Sequence, residues 1–274
     1  MKRFLILILA AFLPFLALAQ EKVVKGLELK NGDVLNGSVE IQGDGSYLIK
    51  LASGDVIIFS SSEVSKIVEE EIPVILVVAS GSGGGHDFVD LGLTVKWATS
   101  NVGAPFLSNY GSYYAWGETA SKSKYDWKTY SLCNGNSKQL TKYIISERFG
   151  AVDYKTQLDD EDDAASVNWS GKWRIPTWSE WEELMVNCQW EWTKVDDVRG
   201  YMVTSNINGN KIFLPAAGNH NGSSVGRDGK SGYYWSASLS RTSDKACYLL
   251  FGSKDIVYGE ADRCDAFSVR PVME

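Results

Sequence analysis

The acidic run at residues 159–163 is the densest group of potential metal ligands in the chain. Asp159, Asp160, Asp162 and Asp163 flank Glu161, and clustered carboxylates on a loop supply the oxygen ligands that calcium prefers. The spacing is not that of an EF-hand, and neighbouring aspartates also cap helices or stay solvated. If calcium binds, we expect these four aspartates to hold it, and no other cofactor is predicted.

Catalytic signatures are scarce, because the chain has only two histidines, His86 and His220. Neither H-E-x-x-H nor C-x-x-C occurs, so no standard zinc site is indicated. Residues 222–226 match G-x-S-x-G, but a nucleophile elbow needs a preceding strand, a following helix and a later histidine. We predict no catalytic residues. A hydrolase that uses paired carboxylates stays an alternative, because such pairs are recognised by their separation in space.

A loop-rich stretch near the C-terminus has the composition of a binding surface. Aromatic and arginine side chains bury large areas and still form hydrogen bonds, and asparagine adds adaptable polar contacts. The predicted ligand-binding residues are Asn219, His220, Asn221, Arg227, Trp235, Arg241, Tyr258 and Arg263. For the aromatic run Tyr233, Tyr234 and Trp235, a position in the hydrophobic core is the competing expectation.

The first 19 residues have the organisation of a secretory signal peptide. Lys2 and Arg3 precede an apolar core at residues 4–18, and Ala17 and Ala19 form a small-x-small cleavage pattern. This core is shorter than the about 20 apolar residues that a membrane-spanning helix needs. We expect an exported protein in the periplasm, on the outer surface or secreted, with no transmembrane segment after cleavage.

The composition is that of an acidic globular protein. Its formal net charge is −7, and removal of Lys2 and Arg3 with the signal peptide takes the charge to −9. An acidic chain without a basic cluster disfavours nucleic acid as a partner. Four cysteines allow three disulfide pairings. Cys247 with Cys264 is the favoured pair, and burial of several cysteines as small apolar side chains is the alternative.

A composition break near residue 86 divides the chain. All ten tryptophans and all four cysteines follow it, and a glycine- and serine-rich segment at residues 80–85 precedes it. Glycine imposes little backbone preference, so residues 71–86 are interpreted as a strand and a flexible linker. The two flanking domains are predicted at residues 22–70 and 87–274.

The segment 22–70 is predicted to be all-β. Leu27 and Leu29 alternate with polar residues, Asn31-Gly32 marks a hairpin turn, and further short apolar runs between turns continue to residue 67. Four or five short strands suggest a small barrel that closes to hide its edges, similar to Sm-like and SH3-like barrels. We expect this domain to dock or space the second one.

Residues 87–274 are predicted to combine strands and long polar loops with one helix. Thr177 and Glu180 form a T-x-x-E capping box at its start. The apolar positions that follow at helical spacing are Trp178, Trp181, Leu184, Met185 and Cys188. We expect this face to pack in the core. A second, shorter helix is predicted within residues 139–149.

Several motifs of the C-terminal part occur in a characteristic order. They are DLGLTVKWATSNVG from Asp90, YYAWGET from Tyr113, DDAA from Asp162, WRIPT from Trp173, LPAAG from Leu214, GYYWS from Gly232 and FSVRPV from Phe267. In this order they resemble the Fibrobacter succinogenes major paralogous domain, which is abundant in exported Bacteroidota proteins. The resemblance covers nearly all of residues 87–273.

The resemblance implies an α+β domain of the C-type-lectin-like and formylglycine-generating-enzyme-like fold, preceded here by the small all-β barrel. It implies that the first and last strands pair and that long loops are displayed on one side. The cysteine-pair motif of the formylglycine-generating enzymes is missing around Cys247 and Cys264. Binding residues favour loops held on a rigid frame. We therefore expect a non-enzymatic binding protein for an extracellular glycan, peptide or protein, with a cell-surface assembly component as a further alternative.

Overall fold

The chain divides into two compact units, Met1–Ile75 and Leu76–Glu274. A computed structural model describes residues 20–73, 77–169 and 172–274. Strands predominate over helices in these residues, which confirms the predicted β-rich character. None of the described helices is long and apolar enough to cross a membrane. The predicted signal peptide, residues 1–19, lies outside the described residues.

The first unit is a single antiparallel sheet. Its strands are β1 (Gln20–Leu29), β2 (Val34–Ile41), β3 (Tyr47–Leu51), β4 (Val56–Phe59) and β5 (Val64–Pro73). They are hydrogen-bonded in the order β4-β3-β2-β1-β5. The strands and turns predicted for residues 22–70 are thereby confirmed. Leu27, Ile49 and Val64 form the buried centre of one face.

The predicted closure of this sheet into a barrel is not formed by backbone pairing in the described residues. The hydrogen-bonded order ends at β4 on one side and β5 on the other, and these two strands do not pair. At two glycines the neighbouring strand lies too close for any side chain. A Cβ at Gly26 would lie 2.0 Å from the Leu35 carbonyl oxygen, and a Cβ at Gly37 would lie 2.3 Å from the Lys50 carbonyl oxygen. Strand β4 is only four residues long, so it offers β5 little backbone to pair with.

The second unit contains fourteen strands and two α-helices among its described residues. The strands are β6 (Gly81–Gly83), β7 (His86–Val89), β8 (Lys96–Ala98), β9 (Tyr114–Ala115), β10 (Cys188–Val195), β11 (Val198–Ser205), β12 (Lys211–Pro215), β13 (Asn219–Asn221), β14 (Ser224–Gly226), β15 (Gly232–Leu239), β16 (Lys245–Phe251), β17 (Ile256–Asp262), β18 (Ala266–Phe267) and β19 (Val272–Met273). The helices are α1 (Ala164–Asn168) and α2 (Trp178–Asn187), and short 3-10 helices occur at Glu147–Phe149 and Asp160–Asp162.

The strands of the second unit form four small sheets. Two are antiparallel meanders, β10-β11-β12 and β15-β16-β17. The other two have the orders β14-β13-β18-β9 and β19-β8-β7-β6. In the last sheet Val272 faces Trp97. The last strand, β19, thus joins the sheet that contains the first strands of the unit, β6 and β7, but among the described residues it pairs with β8 and not, as the resemblance had implied, with the first strand.

The glycine-rich segment is a β-hairpin, so its interpretation as a flexible linker is wrong. Strand β6 pairs with β7, and Gly84 and Gly85 between them have φ values of 57° and 85°. A two-residue hairpin loop of this kind needs positive φ at both positions, which glycine adopts without steric cost. A Cβ at Gly81 would also lie 2.6 Å from the Phe88 ring. The glycines therefore serve a close turn and a close packing contact.

Helix α2 begins where the sequence predicts. The Thr177 side chain accepts the Glu180 backbone N–H, and the Glu180 carboxylate accepts the Thr177 N–H, which completes the capping box. Arg174 also donates two hydrogen bonds to Glu180, of 2.8 and 2.6 Å. Trp181 and Leu184 are buried as expected. These bonds therefore hold the first turn of the helix, at Glu180, against Arg174 in the segment before the helix.

The helix predicted within residues 139–149 is absent except for a single 3-10 turn at Glu147–Phe149. Tyr143 has a left-handed φ of 61°, which interrupts a right-handed helix. The Asp153 carboxylate accepts the N–H groups of Tyr143 and Ile144 at 2.7 and 2.8 Å. The Asp153 side chain thus accepts the backbone N–H groups that would otherwise donate to carbonyl oxygens within a helix.

All four cysteines are buried free thiols, so the favoured Cys247–Cys264 pair is not formed. Cys247 packs beside Leu239 and the Tyr258 hydroxyl, with Sγ–O distances of 3.4 and 3.3 Å. Cys264 belongs to a separate apolar cluster with Tyr125. The alternative expectation, burial as small apolar side chains, describes these cysteines.

A fully buried arginine, Arg270, joins three segments of the second unit. Its Nε donates to Asn101 Oδ1, its Nη1 to the Ala98 oxygen and its Nη2 to the Phe213 oxygen, each at 2.9 Å. Burial lowers the pKa of the guanidinium to about 10, so the side chain stays charged at neutral pH. Hydrogen bonds from a charged donor are the stronger kind, and they compensate for the desolvation of this group.

Replacement of Arg270 should destabilise the second unit selectively. Arg270→Met leaves three buried acceptors without donors, and we expect a loss of about 3 kcal/mol in unfolding free energy. Urea unfolding followed by tryptophan fluorescence measures it, because all ten tryptophans lie in this unit. The exposed Arg199→Met is the matched control and should change little. Equal effects of the two substitutions would contradict the role given to Arg270.

Candidate ligand-binding cleft

Two of the predicted ligand-binding residues, Trp235 and Arg263, lie in the core and are removed from the predicted binding surface. Both are fully buried. The Trp235 ring stacks on Phe267 with centroids 4.2 Å apart, and its Nε1 donates to the Tyr114 oxygen at 2.7 Å. The preceding Tyr233 and Tyr234 are buried as well. The core interpretation of this aromatic run is therefore correct.

Arg263 is held inside an aromatic cage. Its guanidinium carbon lies 4.9, 5.4 and 5.6 Å from the ring centroids of Trp116, Tyr130 and Tyr143. Nε donates to the Tyr130 hydroxyl and Nη1 to the Ser243 oxygen, both at 2.9 Å. Cation–π contacts of a desolvated guanidinium are stabilising. The residue therefore anchors loops and is shielded from any ligand.

The predicted residues of β13 form a polar edge that is separate from the cleft described below. His220 packs edge-on against Tyr113 and Tyr125, with centroid distances of 6.0 and 4.8 Å. Burial lowers the pKa of its imidazole. Asn221 donates to Asp265 Oδ1 at 2.9 Å, and burial raises the pKa of Asp265 to about 6. These contacts orient the side chains of β13 toward neighbouring loops.

Asn219 and Arg227 flank the same β13–β14 hairpin. Asn219 pairs with Gly226 across the two strands, and Arg227 follows with a left-handed φ of 61°. The exposed Ser224 lies on strand β14 with no helix after it, so the G-x-S-x-G match is no nucleophile elbow.

The remaining two predicted residues, Arg241 and Tyr258, line one cleft of about 530 Å³. The other lining residues are Trp178, Glu182, Ser238, Leu239, Ser240 and Cys247. Four elements supply this set: the first turns of α2, the end of β15 with the residues after it, and the neighbouring strands β16 and β17. The volume falls within the roughly 300–1,000 Å³ typical of small-ligand sites.

The aromatic wall of the cleft consists of Tyr258 and Trp178. Their ring centroids are 4.6 Å apart and the planes meet at 73°, the edge-to-face arrangement that aromatic pairs favour. The Tyr258 hydroxyl donates to Glu260 Oε1 at 2.6 Å and lies 3.3 Å from Cys247 Sγ. Burial, followed by these two contacts, raises the pKa of Tyr258. The hydroxyl is thus held in place, and Tyr258 as a whole is still 42% exposed.

The polar wall carries one charge of each sign. Arg241 and Glu182 are both exposed, and neither forms an ion pair with any residue in the described parts of the chain. The Trp178 N–H donates to Ser238 Oγ at 3.1 Å, which fixes the helix start against β15. The cleft therefore combines a hydrogen-bonded backbone with two charged side chains, Arg241 and Glu182, that can contact a ligand.

Trp178 and Glu182 line the cleft but were not among the residues predicted from the sequence, which placed Trp178 on the core face of the helix. The tryptophan is half-buried and also touches the apolar core. Positions four apart lie on the same side of a helix, so the Trp178–Glu182 spacing was a usable signal. Their contact with Tyr258 depends on the packing of α2 against the β15-β16-β17 sheet, which lies far along the chain, and helical spacing does not predict such packing.

The acidic run already has a cation of its own. Lys142 Nζ lies 2.7 Å from carboxylate oxygens of Asp159 and Glu161 and 2.5 Å from one of Asp162. Desolvation of the ammonium opposes its charge, but these contacts prevail and raise the pKa of Lys142. The oxygens of these three acids lie within 4.8 Å of one another. The lysine ammonium occupies the position that the sequence analysis gave to calcium.

Asp163 cannot act as the predicted metal ligand, because its carboxylate is buried and already shared by three backbone donors. It accepts the N–H groups of Ala165, Ser166 and Ile175 at 2.8, 3.1 and 2.7 Å. Burial raises its pKa to about 6, against the effect of these hydrogen bonds. Asp160 is exposed in the adjacent 3-10 helix and outside the cluster of three acids. Asp163 is thus the N-cap of α1.

No family profile, no curated protein and no solved structure matches this chain.

Calcium should leave the folded protein unaffected while Lys142 is present. Lys142→Met removes the counter-ion of three clustered carboxylates, and we expect a loss of about 1–2 kcal/mol that added calcium restores. Thermal unfolding midpoints with and without millimolar calcium check this, with the exposed Lys138→Met as matched control. A midpoint of the unsubstituted protein that rises with calcium would show that a metal displaces the lysine.

Proposed function

We propose that this chain is an exported, non-enzymatic binding protein for an extracellular glycan, peptide or protein. The observation that carries the proposal is the Trp178–Tyr258 cleft with its unpaired Arg241 and Glu182. Concave sites with aromatic walls and a few convergent polar groups are the usual form of ligand sites. Arginine and aromatic residues also dominate the binding energy of interfaces.

The proposal includes the C-type-lectin-like fold of the paralogous domain that the sequence resembles. The pairing of β8 with β19 supports it, as do the long irregular stretches between β8, β9 and α1. Export rests on residues 1–19, whose sequence has the organisation of a signal peptide. The N-terminal sheet would dock the protein or space the binding unit from its attachment.

Binding should depend on the cleft. A glycan and peptide array probed with the chain lacking residues 1–19 identifies ligands, and surface plasmon resonance then gives affinities. We expect Arg241→Gln and Tyr258→Ala each to weaken binding at least about tenfold, because truncation of a hot-spot residue costs about 2 kcal/mol or more and tenfold corresponds to about 1.4 kcal/mol. Arg199→Gln, another exposed arginine, is the matched control. Unchanged affinity in both cleft variants would remove the cleft from the proposal.

Self-assembly at a cell surface is a second candidate function. Val56 and Ile58 are 54% and 62% exposed, and they lie on the edge strand β4, which pairs on one side only, with β3, in the described residues. An exposed apolar edge strand is a template for pairing with another chain. Analytical ultracentrifugation should then show concentration-dependent oligomers that Ile58→Lys abolishes. Val225→Lys, at an exposed valine of the second unit, should leave them intact, and a monomer at every concentration would rule this function out.

A further inference from the structure

We infer that the ligand of the Trp178–Tyr258 cleft is an uncharged saccharide, bound by stacking and hydrogen bonds without calcium. The inference rests on the proposed binding function and specifies the chemistry of the same site. Four features of the cleft carry it: a fixed aromatic face, balanced charges, hydroxyl groups at its floor and the absence of a carboxylate cluster among its described lining residues.

The aromatic wall suits the face of a sugar ring. A pyranose presents C–H groups on one face and hydroxyls around its rim, so it needs an exposed aromatic plane beside polar groups. Tyr258 offers such a plane, because its hydroxyl is bound to Glu260 while the residue is 42% exposed. The Trp178 ring meets the Tyr258 ring at an interplanar angle of 73° and forms the adjoining wall of the cleft. A preorganised aromatic side chain loses little conformational entropy on binding.

The charges in the cleft favour an uncharged ligand. Arg241 and Glu182 contribute one charge of each sign among the lining residues, so the wall has no net preference for an anion or a cation. Each group forms several hydrogen bonds from a planar arrangement. A guanidinium donates and a carboxylate accepts, which together match neighbouring sugar hydroxyls that do both.

Serine hydroxyls complete the floor of the cleft. Ser238 Oγ accepts the Trp178 N–H, and Ser240 Oγ accepts the Thr242 N–H at 3.3 Å. Since both contacts use the serine oxygen as acceptor, each hydroxyl proton can be donated to a ligand. The strand end at β15 thereby offers hydrogen-bond donors beside the aromatic face.

Calcium has no place in this site. In the described residues, the cluster of at least three potential metal-binding side chains is Asp159, Glu161 and Asp162, and none of these lines the cleft. Lys142 contacts all three. Glu182 is the one carboxylate among the described lining residues, which is too few for the several oxygen ligands that calcium takes.

The test uses the chain lacking residues 1–19 on an array of neutral saccharides, uronic-acid saccharides and peptides. Isothermal titration calorimetry then measures the best neutral saccharide, with and without EDTA. We expect Tyr258→Ala to weaken binding at least about tenfold and Tyr258→Phe, which keeps the ring, to weaken it less than threefold. Tyr154→Ala, at a tyrosine 77% exposed elsewhere, is the matched control. EDTA should have no effect.

The buried Cys247 thiol reports occupancy of the cleft. Saccharide should slow its alkylation severalfold, as measured by peptide mass spectrometry, while Cys133 serves as the internal reference. Peptide or uronic-acid binding that Tyr258→Ala removes would overturn the saccharide inference and leave the binding function standing. Loss of saccharide binding in EDTA would overturn it as well. Failure of every array ligand to protect Cys247 would overturn both proposals.

Discussion

The buried guanidinium of Arg270 is the interaction on which the second unit depends. Burying an arginine is costly unless hydrogen-bond acceptors compensate for its lost solvation, and Asn101, Ala98 and Phe213 supply three acceptors here. Asn101 in turn donates to the Tyr234 hydroxyl, which donates to the Pro215 oxygen. A small polar network thereby joins the loop after β8, strand β12 and the C-terminal segment. Loss of one member leaves the others buried without partners, so the network specifies one arrangement of these segments.

Several buried tryptophans of the second unit also form hydrogen bonds inside the core, as Arg270 does. Trp116 donates to the Ser236 oxygen at 2.8 Å, Trp181 to the Trp235 oxygen at 3.3 Å, and Trp173 to the Gly83 oxygen at 2.7 Å. Each indole buries a large apolar area and satisfies a backbone carbonyl at the same time. The second of these bonds ties α2 to β15. Because that bond holds α2 against β15, Trp178 and Ser238 meet at the cleft, where the Trp178 N–H donates to Ser238 Oγ.

Charge is distributed differently in the loops and in the cleft. In the acidic loop, the clustered carboxylates form ion pairs with Lys142 inside the protein. In the cleft, Arg241 and Glu182 have no such internal partners in the described residues. Groups satisfied within the fold stabilise it, whereas solvent-facing groups on an ordered frame can exchange water for a ligand. This contrast favours the cleft over the acidic run as the site of the proposed binding, although the acidic run is the more conspicuous feature of the sequence.

The sequence alone determined the local features. Alternation and turn residues predicted the strands of the first unit, and Thr177 with Glu180 predicted the start of α2, because these signals act between near neighbours in the chain. Tertiary structure decided the fate of single side chains. Arg263 and Arg241 are both arginines near polar loops, yet one is caged by three aromatic rings and the other faces solvent. Lys142 lies 17 residues before Asp159, and Tyr258 lies far along the chain from Trp178. Such contacts depend on how distant segments pack, and neither composition nor periodicity predicts that packing.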